Sequence, residues 1–116
     1  MERTPSDRER IRILNDEMRA AGPEDAGPNR WMITPGIQDL DPTEAQRAIE
    51  AVKTFTAFNQ DNDPHGEHDF VDIEHDGEKY FAKVDYYDAS MQGGSEDPAD
   101  PEKTTRVLTI MRADEY

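Results

Sequence analysis

Apolar residues return at helical spacing near the start of the chain. Ile11, Leu14, Met18 and Ala21 follow a Ser6-x-x-Glu9 capping box and stop at Gly22. This spacing predicts a first helix. Its other positions alternate Asp7, Glu9, Asp16 and Glu17 with Arg8, Arg10, Arg12 and Arg19, which reads as a solvated face without net charge. Glycines and prolines between Gly22 and Asn29 make a loop, and the short run Arg30–Thr34, ended by Pro35-Gly36, predicts a strand. Asp41, Pro42 and Glu44 then supply an N-cap, an N1 proline and an acidic first turn. Ala45, Ala48, Ile49, Val52 and Phe55 continue one stripe, so a second helix is expected from Pro42 to about Phe58.

Beyond the polar stretch Asn59–Glu67 the period becomes two. A strand is expected from His68 to His75, and Asp76-Gly77 is a two-residue hairpin signal. That turn fixes a register in which His75 faces Glu78, Ile73 faces Tyr80 and Val71 faces Ala82. One face then collects Val71, Ile73, Tyr80, Ala82, Val84 and Tyr86 as core. The other collects Phe70, Asp72, Glu74, Lys79, Phe81, Lys83 and Asp85 as a partly wet surface. Ala89–Lys103 is polar and broken by glycine and proline, and is expected to be a mobile loop. Thr105–Arg112 is apolar on both sides, which predicts a central strand covered on both faces.

The order α-β-α-β-β-β predicts an α+β domain: two helices packed on a small, mainly antiparallel sheet of about four strands, in two layers. At 116 residues the chain is read as one domain, 1–116, with residues 1–5 disordered. Its mean hydropathy of -1.01 points to modest stability.

Charge changes the picture more. The net charge is -14, so direct binding to nucleic acid or to an anionic membrane is disfavoured. Fourteen carboxylates stand against only Lys79 and Lys83 between Asn59 and Glu102. No run is long and apolar enough for a spanning helix, no secretory signal is evident and cysteine is absent. A cytoplasmic location is expected.

Several segments are distinctive: Asn62-Asp-Pro-His-Gly-Glu-His-Asp-Phe70, Lys83-Val-Asp-Tyr-Tyr-Asp88, the Asp-Pro steps at 97–98 and 100–101, and Arg106-Val-Leu-Thr-Ile-Met111 with Glu115-Tyr116. Together with Asn15-Asp16 they resemble a bacterial domain-of-unknown-function family of short acidic proteins, met mostly in alphaproteobacteria and their mobile elements. The resemblance runs from about Arg12 to the last residue. Val71 and Val84 stand where such proteins tend to carry Gly and Ile. It implies no particular activity.

Three chemistries compete. All three histidines fall between residues 65 and 75 among carboxylates, a donor mixture that suits zinc or another divalent ion. The register separates His75 from His68, which leaves His65, Glu67, His68 and Asp85 as the candidate metal set of a metal-binding protein or small metal-dependent hydrolase. The bland reading is that these side chains order their own loop. An acid-base set of His68, Asp85 and Tyr87 is a second candidate, and Asp61-x-Asp63-x-His65-Gly66 weakly imitates a calcium loop ending at Asp72. Neither a nucleophile motif nor a phosphate loop is present.

The charge pattern favours a non-enzymatic interaction or inhibitor module that binds a basic surface of a nucleic-acid-binding or defence protein by mimicking nucleic acid. Its candidate contacts are Asp61, Asp63, Asp72, Glu74, Asp97 and Asp100, and no cofactor is expected. Strand carboxylates on one face recur only about every 6.7 Å, against one charge per about 1.7 Å of duplex axis. Mimicry therefore requires the 61–69 and 88–102 segments to fold beside the hairpin. A structural subunit or scaffold is the third reading, with Phe70, Phe81 and Tyr87 as a patch for a homodimer.

Overall fold

A computed structural model of the chain describes residues 5–116. Helix α1 (Pro5–Ala21), strand β1 (Arg30–Ile33), helices α2 (Pro35–Gln38) and α3 (Pro42–Thr54), and strands β2 (Phe70–His75), β3 (Glu78–Asp88) and β4 (Thr104–Arg112) follow in order, ending in a 3-10 turn, Ala113–Glu115. One four-stranded sheet has the order β1-β4-β3-β2, antiparallel except where β1 pairs with β4. This is the predicted α+β architecture with a short third helix added. Among the described residues, no helix is long and apolar enough to cross a membrane.

The hairpin forms in the expected register, with Val71 opposite Ala82, Ile73 opposite Tyr80 and His75 opposite Glu78. Asp76 and Gly77 take φ of 51° and 80°, the two left-handed positions that a type I′ turn needs. The face carrying Val71, Ile73, Tyr80, Ala82 and Val84 joins Leu108 and Ile110 of β4, and Met18, Ile37, Ala48 and Val52 of the three helices close over it.

Strand β4 is central and buried along nearly its whole length. On the face away from the helices, Val107 and Met111 are 5% and 4% exposed. The strand alongside supplies their neighbours, with Phe81 opposite Met111 and Asp85 opposite Val107. Strand β2 is an edge, and its exposed Asp72 and Glu74 are charges of the kind that discourage pairing with another chain.

Local departures from the pattern have identifiable causes. Pro35 ends β1 as expected but also takes the N1 place behind an extended Thr34, which opens α2 and buries Ile37 completely. Asp41 caps α3 by accepting from Thr43 N at 2.9 Å. The helix then stops at Thr54, short of Phe58, because Phe55 turns extended; this lets Phe55 and Phe58 meet edge to face at 4.8 Å. Strand β2 starts at Phe70 rather than His68, since His68 adopts φ of 55° and leaves the strand's alternation.

The first helix begins at Pro5, which puts Ser6 in its first turn rather than at the N-cap; of residues 1–5, expected to be disordered, Pro5 opens the helix and 1–4 lie outside the described residues. Its inward stripe is rotated. Ile11 and Met18 are buried as expected, but Asn15 and Arg19 are buried with them while Ala21 is exposed. Arg10 Nε reaches Ala99 O at 2.9 Å, so the charged positions are not simply a solvated face.

The 89–103 segment, expected to be mobile, bonds to the sheet and to itself. Ser95 N donates to Tyr86 O, Asp88 N donates to Gly93 O, and Pro98 and Ala99 are buried.

Candidate functional site

Segments far apart in sequence meet at the end of the sheet away from the hairpin turn. Tyr86 of β3 and Arg106 of β4 are register partners. Asn15 of α1 reaches over them: its Nδ2 donates to Tyr86 Oη at 2.9 Å and to Glu67 O at 3.0 Å, and its Oδ1 accepts from Arg106 Nε at 2.6 Å. Tyr86 in turn donates to Glu67 Oε1 at 3.0 Å. The Arg106 guanidinium lies 5.2 Å from the centre of the Tyr86 ring and donates to Pro98 O. Asn15, Glu67 and Arg106 are 1%, 3% and 2% exposed.

A second layer lies beside this core. His68 Nδ1 is 2.7 Å from Asp16 Oδ1 and its Nε2 is 3.5 Å from Asp63 Oδ2, while its ring stacks on Phe58 at 3.7 Å. Asp63 Oδ1 also accepts from His68 N at 3.1 Å, which suits the left-handed backbone there. Arg19 bonds Asp16 at 2.9 Å and lies 5.0 Å from the Phe58 ring centre.

Burial governs the electrostatics. It pushes the Tyr86 phenol well above the usual phenol range; the Asn15 bond opposes that push, and the nearby Glu67 and Asp69 charges add to it. Burial and then the Glu67 charge raise the Asp69 carboxyl. Burial draws Arg106 down from its ordinary value, with Tyr86 and Glu67 opposing. Tyr86 therefore stays protonated and works as a fixed donor to Glu67. Such an arrangement clamps α1, the 59–69 loop and the 95–101 loop onto two strands, and holds no activated nucleophile.

The sequence-derived sets fare differently. His65, Glu67, His68 and Asp85 are not brought together: His65 is exposed, Glu67 and His68 turn toward α1, and Asp85 lies on the opposite face beside Lys83 Nζ at 3.4 Å. Tyr87 shares that opposite face and does not join His68. Asp63, the third position of the calcium-like pattern, is committed to His68, while Asp72, its last, is exposed on β2. Among the described residues, three carboxylate and imidazole donors do gather at ligand spacing elsewhere: Glu44, His75 and Asp76, at the hairpin turn. Sequence spacing did not reveal this group, because Glu44 comes from α3.

Of the six acids expected to meet a partner, Asp61, Asp72 and Glu74 are exposed, while Asp63 is only 8% exposed. Asp97 and Asp100 are half-buried and accept from Ala99 N and Glu102 N of their own loop.

The sheet face away from the helices holds an aromatic cluster. Phe70 and Phe81 lie 5.1 Å apart, and Tyr116 sets its edge to them at 5.7 and 5.6 Å. Tyr116, rather than the expected Tyr87, completes this patch and is 75% exposed. Met32 of β1, 54% exposed, shares the face through its pairing with Thr109.

No curated protein and no solved structure matches the chain. A family model matches residues 33–115, so that α1 precedes the matched region although its Asn15 and Asp16 complete the polar cluster; the chain belongs to the family described as Protein of unknown function (DUF3768).

Proposed function

We propose that this chain is a non-enzymatic interaction module whose open sheet face docks on a basic surface of a nucleic-acid-binding or defence protein. One observation carries the reading: the helices cover a single face of the sheet, and the other presents Phe70, Phe81 and Tyr116 next to the acidic edge of Asp72 and Glu74. Aromatic anchors supply most of the affinity in such contacts. The net charge of -14 steers a basic partner toward the face and repels nucleic acid itself.

The acids do not form one dense row. Asp63 is internal, Asp97 and Asp100 hydrogen-bond their own loop, and Lys83 lies beside Asp85. The partner's positive surface is therefore met by a mixed apolar and acidic patch, and competition with nucleic acid follows from occupying the same groove.

The test uses the full chain as bait, with captured proteins identified and rebound in purified form. Binding should weaken steeply as salt rises, duplex DNA should compete, and the Phe81→Ser/Glu74→Lys double variant should bind at least about tenfold less tightly. Undiminished binding by that variant would sink the reading.

A further inference from the structure

His75 is the last residue of β2, on the same side of the strand as Val71 and Ile73, and therefore points toward the layer of helices. Asp76 follows it in the turn, where φ of 51° reverses the chain. Glu44 comes from the first turn of α3, which packs on β2. His75 Nε2 lies 3.7 Å from Glu44 Oε1 and 3.5 Å from Asp76 Oδ2, and the three donor atoms all fall within 4.8 Å of one another.

Neither contact is a hydrogen bond, and His75 Nε2 is buried with no hydrogen-bond partner among the described residues. The ring is 34% exposed, but this nitrogen is turned inward and flanked by two carboxylates at ion-pair rather than hydrogen-bond distance. A cation between the three atoms would satisfy it. In a tetrahedral site with bonds of about 2.0–2.1 Å, neighbouring ligand atoms stand about 3.4 Å apart. The two measured separations are close to that edge.

We infer that Glu44, His75 and Asp76 form a divalent transition-metal site at the hairpin turn, distinct from the polar cluster at the other end of the sheet. Two carboxylates offset the charge of a divalent ion, and the imidazole selects a zinc-like metal over calcium, which takes six to eight oxygen ligands. Tyr80, 1% exposed, donates to the same Glu44 Oε1 at 3.4 Å and helps to orient the carboxylate, as outer partners of metal ligands do. Three protein ligands leave one position for water.

Zinc chloride titrated into the full chain, prepared without a histidine tag, tests this by calorimetry and by imidazole NMR. One zinc should bind per chain, and the His75 ring signals should shift before those of His65 and His68. His75→Ala, Glu44→Gln and Asp76→Asn should each weaken binding at least about tenfold, the last retaining a residue that accepts the left-handed turn. Amide spectra of each variant check that the fold survives. No zinc binding, equal binding by a folded His75→Ala protein, or zinc seated first on His65 or His68 would overturn the assignment.

Discussion

Two polar clusters stand at opposite ends of β3. Tyr86, at the centre of one, is six residues along the strand from Tyr80, which backs the other; at about 3.3 Å per residue they are roughly 20 Å apart. The clamp of Asn15, Glu67, Tyr86 and Arg106 is closed. None of its buried side-chain nitrogens or oxygens lacks a partner among the described residues. The turn cluster of Glu44, His75 and Asp76 leaves a buried ring nitrogen without a hydrogen bond. Both contain charged groups near the core, yet of the two only the second leaves a buried nitrogen unpaired; the unpaired Nε and Nη1 of Arg19 lie in the layer beside the clamp, near the Phe58 ring. Density of polar residues therefore marks neither as a ligand site; unfilled bonding capacity separates them.

The comparison can be broken most forcefully at Arg106. Arg106→Met strands Asn15 Oδ1 and Pro98 O and removes the cation beside Glu67, and should cost about 3–5 kcal/mol in urea unfolding. That is a large share of the stability expected of a domain this size. A loss below about 1 kcal/mol would mean that the clamp holds nothing together. His75→Ala in metal-free buffer sharpens the contrast from the other side. Its carboxylate contacts are long and the side chain is 34% exposed, so the same measurement should register less than about 1 kcal/mol.

The smallest effect is expected at a third polar group, where Glu115 accepts from Arg112 N, Thr34 Oγ1 and Gly36 N and ties the end of β4 to the start of α2. The Arg112 backbone bond, then the Thr34 hydroxyl, hold this carboxyl below the usual glutamate range. Its folded pKa is depressed, so its contribution is present at neutral pH and is lost as pH falls through that lowered value. Glu115→Gln should melt slightly lower than the parent at neutral pH, and the two melting curves should converge in acid below the ordinary glutamate pKa of 4.5. A constant gap at every pH would assign the effect to shape rather than charge. Gly36 adjoins the same contact, since an added Cβ would run into the Glu115 carboxylate.

How much of this was legible in the residues depends on whether the signal was local. The Asp76-Gly77 turn and the alternation around it set the hairpin register, since a type I′ turn permits one pairing and a slip would expose the apolar face. Asp41 and Pro42 likewise marked the start of α3. The inward rotation of α1 was not legible, because Asn15 and Arg19 look like surface residues until Tyr86, Glu67 and Phe58 are placed beside them. The grouping expected of the histidines does not form, and His75 instead meets Glu44 from a distant helix. His68 was expected to keep the strand's alternation, and its left-handed backbone breaks that expectation.

The sequence by itself determined the types of all the longer elements but not the short α2, together with the hairpin, its two faces and the charge, because these rest on periods of two and 3.6 residues and on turn chemistry within a few residues. Tertiary structure alone decided the parallel β1–β4 pairing, the partners of Asn15 and the meeting of Glu44 with His75. Those contacts join residues tens of positions apart, and side chains of the same type serve equally well on a surface, in a clamp or around a metal until the fold sets their distances.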